Sequence, residues 1–151
     1  MDTRGAAEAW FIAGTIPLIV GGAAHVLATL LDTVRPTFFA PIDGTVKPEM
    51  ERTGIRLVRM FGGGEARPSV WRVWLGIHIS HGLGILAFAL LLLLIATYDF
   101  TLVERIDAIR PLAIAFSAAY LVLSFRFWFY GPAILTGTAT TSFTVATVLS
   151  T

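Results

Sequence analysis

Leu83-Gly-Ile-Leu-Ala-Phe-Ala-Leu-Leu-Leu-Leu-Leu-Ile95 contains no polar or charged side chain. A helix on the surface of a soluble protein would show polar residues on its outer face at every turn, and this stretch shows none. Followed outward, the apolar run is bracketed by Arg72 and Asp99, with only His78, Ser80, His81 and Thr97 as polar interruptions. That is more than the roughly 20 residues needed to cross a hydrocarbon core of about 30 Å. The solvent of this segment is lipid.

Three further segments share the pattern. Residues 10–31 are broken only by Pro17 and His25 among otherwise small or apolar residues, and residues 111–130 end in an aromatic cluster. Residues 132–151 are interrupted by Thr136, Thr138, Thr140, Thr141, Thr144 and Thr147. Threonine can return its hydroxyl to the preceding helical turn, so this fourth segment is tolerable in lipid. It is expected to pack inside a bundle, with a re-entrant or interfacial segment as the competing reading. Spans near 10–31, 74–97, 111–130 and 132–151 make the chain an all-α integral membrane four-helix bundle, one transmembrane domain over 1–151. The balance of the 151 residues agrees: 56% are hydrophobic and 14% charged, against about a quarter charged in soluble domains. Residues 10–31 fit a retained helix better than a signal peptide, whose apolar core is shorter and follows a basic start.

Charge sets the expected orientation. The loop 32–73 carries Arg35, Lys47, Arg52, Arg56, Arg59, Arg67 and Arg72, seven cations against three (Arg4, Arg105 and Arg110) on the opposite side. Cytoplasmic loops are enriched in Lys and Arg, so the long loop is expected inside and both termini outside. Within it, residues 48–61 read as a short amphipathic helix, with Arg52, Arg56 and Arg59 on one side and Met50, Ile55, Leu57, Val58 and Phe61 broadly on the other. Such a helix either lies among lipid headgroups or covers the end of the bundle. Nucleic-acid binding is not expected, because cations beside a membrane have a simpler use.

Cysteine is absent, which excludes disulfides, thiolate metal sites and cysteine nucleophiles. The ionisable residues inside the spans form the one candidate site. His25 lies on the first span; His78 and His81 lie three apart on the second; Arg126 lies near the end of the third. Groups of this kind are costly in lipid and tend to face the bundle interior. Two imidazoles from different helices can ligate a haem iron, with Gly21, Gly22, Gly76, Gly82 and Gly84 leaving room for a porphyrin, or three can hold a divalent metal. The alternative, and the reading adopted, is that the histidines bond between helices and the glycines serve close packing, with Gly76, Ser80, Gly84 and Gly137 as contacts within or between protomers. Arg126 either snorkels to the headgroups beside Trp128 and Tyr130 or meets Asp32, the nearest acid after the first span. No phosphate loop, His-Glu-x-x-His or oriented serine–histidine pair occurs, and no carboxylate lies in the apolar stretch of any span, so no enzyme or carrier chemistry is signalled.

Gly21-Gly-Ala-Ala-His25, Phe38-Phe-Ala-Pro41, the block from Trp71-Arg-Val-Trp through Ser80-His-Gly-Leu-Gly84, and Arg126-Phe-Trp-Phe129 together resemble an uncharacterised family of small bacterial four-helix integral membrane proteins. The resemblance covers most of the chain and implies four helices and a bacterial inner (cytoplasmic) membrane, but no activity. It also implies an asparagine or similar residue at position 78, which would leave His25 and His81 as the better pair. The expected function is that of an accessory subunit packing in lipid against other membrane-protein subunits, with a haem- or metal-binding protein as the alternative.

Overall fold

The computed structural model describes residues 2–55 and 68–151. Among the described residues six helices follow in order: α1 (Thr3–Val34), α2 (Val46–Arg52), α3 (Val70–Tyr98), α4 (Phe100–Arg105), α5 (Ile109–Phe127) and α6 (Tyr130–Leu149). No strand occurs among the described residues, only an isolated bridge between Gly54 and Ser69. Helices α1, α3, α5 and α6 are long and apolar enough to cross a membrane, so the chain is an all-α, multi-pass membrane protein. Each span is close to its expected position, with α1 beginning seven residues earlier, at Thr3 rather than residue 10. Its first turns are polar and contribute Ala7 and Phe11 to the core.

The chain forms two compact units, Met1–Ala23 with Gly84–Thr151, and Ala24–Leu83. In the first, Ala7, Phe11 and Leu18 of α1 pack with Ile85, Ala89, Leu92 and Ala96 of α3. Phe100 and Val103 of α4, Ala113 of α5 and Ala139, Phe143 and Ala146 of α6 complete that core. The alanines let helices approach closely, which matters because lipid supplies no hydrophobic drive and van der Waals contact must hold the bundle. Phe11 is its hub, with ring centroids 6.0 Å from Phe100 and 5.1 Å from Phe143. Gly14 makes room for the second of these rings: a Cβ there would stand 2.7 Å from Phe143 Cε1.

The fourth span behaves as its threonines imply. Helix α6 runs unbroken for 20 residues, about 30 Å. Thr136, Thr140, Thr144 and Thr147 each donate to the carbonyl four residues back, at 2.7–2.8 Å. The short connection after α3 is not an open loop but a turn of helix. Asp99 caps α4 by accepting from the Thr101 backbone N–H at 2.9 Å, and Phe100 and Val103 are buried beneath it.

The short helix expected in the long loop is present, over Val46–Arg52; of the expected range 48–61, residues 56–61 lie outside the described residues. The chain leaves the helix because Thr53 turns extended and its neighbours pair with the segment entering α3, Ile55 N–H with Pro68 O at 2.9 Å and Val70 N–H with Thr53 O at 2.8 Å. Arg52 remains on the helix and pairs with Glu49 at 2.9 Å. Arg56 and Arg59 lie outside the described residues.

Candidate functional site

The second unit holds the histidines. Helix α1 enters it with His25 and Thr29 and closes it with Asp32; helix α3 contributes Trp71, Trp74, His78, His81 and Gly82. The close approach of these two helix segments is made at Gly82. A Cβ there would stand 2.8 Å from Val26 Cγ2, 3.2 Å from His25 Cδ2 and 3.2 Å from the Val26 backbone nitrogen. A side chain there would have to push the Val26 side chain aside, so Gly82 sets how close the imidazoles come.

His25 Nε2 and His78 Nδ1 are 3.1 Å apart, within hydrogen-bonding distance. One ring donates and the other accepts, so at least one of the pair is neutral. His81 stands with its ring centroid 5.2 Å from that of His25. Two aromatic side chains enclose the pair. Phe39 stacks on His78 at 4.7 Å and 20° and lies 4.6 Å from His25, and Trp74 meets the His78 ring at 4.5 Å and 64°. The Trp74 indole N–H also donates to the Phe39 carbonyl at 3.1 Å, tying the loop to α3.

Phe39 is delivered to the histidines by Asp32. After α1 ends at Val34, Pro36 forbids further helix and the chain folds back over its own last turn. The buried Asp32 carboxylate accepts three backbone N–H groups there: Thr37 at 2.6 Å and Phe38 at 2.8 Å on Oδ1, and Phe39 at 2.6 Å on Oδ2. Successive N–H groups converging on one carboxylate form a concave anion nest, here filled by the chain's own side chain. Both carboxylate oxygens are thus engaged by the loop. Arg126 belongs to the other unit, exposed on the last turn of α5 with its guanidinium 5.0 Å from the Phe127 ring centroid.

The donor set can be tested against the groups it was expected to hold. Axial haem ligands stand on opposite faces of a porphyrin. His25 and His78 bond directly to one another, and Gly82, one of the glycines expected to make room, is filled by Val26 and His25. These residues do not fit a haem between them. Among the described residues no group of three or more His, Cys, Asp or Glu side chains is arranged to hold a metal ion. The hydroxyl of Ser80 donates to Ile77 O at 3.0 Å, within its own helix.

Compared with protein-family models, curated proteins and solved structures, the chain matches none.

The glycines expected as contacts within or between protomers are not the tight ones within the chain, among the described residues. Among the described residues, a Cβ at Gly76 or Gly84 would meet nothing within 4 Å, and one at Gly137 would touch Leu121 at an ordinary 3.6 Å. Among the glycines described, Gly14, Gly21 and Gly82 are tight against another helix. Neither Phe39 nor Trp74 stood out as a partner of the histidines, although both lie in the blocks that carry the family resemblance. A buried-type acid at a span's end, followed by Pro36 and a Phe-Phe pair, was the available signal.

Proposed function

We propose that this chain is a non-enzymatic subunit of a larger assembly in the bacterial inner membrane, belonging with the small four-helix proteins it resembles. The observation that carries the reading is how little of each span the chain covers by itself. Among the described residues, no candidate span has more than 33% of its most apolar stretch buried inside the chain. Some of that surface meets lipid, as single exposed leucines and valines do. The open row of Gly76, Ser80 and Gly84 on α3, flanked by exposed Ile77 and Leu83, is suited to a neighbouring helix rather than to acyl chains. The histidine cluster then serves structure, holding the long loop against the α1 and α3 segments of its unit.

Gentle solubilisation followed by a native gel tests the reading directly. Other chains comigrating in fixed proportion are expected, and the chain running alone would overturn it. The loop between α1 and α3 is proposed to be cytoplasmic and both termini external, on the strength of its cations. Because the sequence has no cysteine, a single Gly44→Cys substitution reports the side. An impermeant maleimide should label it only after the inner membrane is opened.

A further inference from the structure

We propose that the corner between α5 and α6 is a docking surface for the phosphate of an anionic phospholipid, with Arg126 as its charge. The corner is Phe125-Arg-Phe-Trp-Phe-Tyr130, and all six side chains are exposed. Five of them are aromatic, Phe125 at 70% and Tyr130 at 81% of full exposure. In water such a patch would be a liability. At the boundary of a bilayer it is the usual anchor, because aromatic rings favour the headgroup level.

Span length decides the depth. Helix α5 has 19 residues, about 28 Å of rise, barely the thickness of the hydrocarbon core. A helix with no slack must place its last turn at the interface, and Arg126 is one residue from its end. Only Trp128 and Phe129 separate α5 from α6, so the corner cannot reach far into water. The Phe129 ring folds back on the first turn of α6, where a Cβ on Gly131 would stand 3.0 Å from Phe129 Cε2.

Charge names the occupant. Arg126 is the single charged side chain in residues 111–151, so no acid on this hairpin neutralises it. Its guanidinium lies 5.0 Å from the Phe127 ring, which steadies one face and leaves the N–H edge for an oxyanion. A planar fork of donors matches phosphate oxygens two at a time. At this depth the available oxyanion is a lipid phosphate. The inference rests on α5 and α6 crossing the bilayer and is independent of whether other subunits assemble.

The test is native mass spectrometry of the protein equilibrated in micelles with equal amounts of phosphatidylglycerol and phosphatidylcholine. Wild-type protein should retain phosphatidylglycerol over phosphatidylcholine by about fivefold, the effect of one arginine at an anionic surface. Arg126→Gln should abolish the preference, while Arg126→Lys should keep part of it. Should the glutamine variant fail to fold, the wild-type ratio and the lysine variant still decide. Equal retention of both lipids by wild-type protein, or an unchanged preference in a folded Arg126→Gln variant, overturns the proposal. An unchanged lipid preference with loss of a comigrating chain also overturns it and assigns the corner to a protein partner.

Discussion

Gly82 lies against Val26 so closely that a methyl group on its α-carbon would stand 3.2 Å from the Val26 backbone nitrogen. The bonding of His25 to His78 depends on this approach, since a wider gap would part rings that now hydrogen-bond at 3.1 Å.

Gly82→Leu should therefore destabilise the protein by about 2 kcal/mol, the usual penalty for overpacking a filled contact. Gly84→Leu, two residues on and facing open space, should cost little. Unfolding of both variants by sodium dodecyl sulfate in mixed micelles measures the difference. Equal costs would mean that the helices do not meet at Gly82.

The histidine pair should couple weakly but measurably. Interhelical hydrogen bonds in membranes contribute about 0.6–2 kcal/mol. A double-mutant cycle on His25→Ala and His78→Ala should return a coupling in that range. The purified protein should show no Soret band. A band abolished by His25→Ala would replace the hydrogen-bonded pair with a haem site.

Asp32→Ala should be among the most damaging single changes. It strands three backbone N–H groups and releases Phe39 from the imidazoles, at a cost of about 3 kcal/mol. Asp32→Asn should be milder, because its carbonyl oxygen can still accept from Thr37 and Phe38. Protease sensitivity of the stretch 35–45 in folded protein gives a second measure, and it should rise in the alanine variant.

The cap of α4 carries a pH dependence. The Thr101 hydroxyl and then its backbone N–H hold the Asp99 carboxyl below the ordinary aspartate value. A depressed folded value means that the cap's contribution is present above the unfolded value and is lost as pH falls through the folded one. Fraying of α4 is thus expected only on acidification below the normal aspartate range. Backbone amide exchange at Thr101 and Leu102 should rise there, and Asp99→Asn should remove the pH dependence.

The sequence alone determined the solvent and the number of helices long and apolar enough to cross it. A run such as Leu83 to Ile95 without one polar side chain has a single stable environment, and helices are the way to bury its backbone there. The threonine back-bonds of α6 were also legible, because the i to i−4 reach is local. Asp99 and Thr101 stood in plain view, yet their short helix depends on Phe100 and Val103 finding a core, which is not a local matter.

Only the tertiary structure decided which histidine meets which, and which glycines are tight. Residues three apart on α3 offered His78 and His81 almost equally to His25, and the 3.1 Å contact follows from a helix crossing at Gly82. The row of Gly76, Ser80 and Gly84 has the spacing of a packing face, and its glycines are open within the chain among the described residues, while Gly82, off that row, is filled. Periodicity says which side chains share a face. It does not say which face a neighbour occupies, because that is set by the sum of contacts along both helices. Asp32 shows the same limit: the chain reversal after Pro36 brings three backbone donors to its carboxylate, which no local pattern announces.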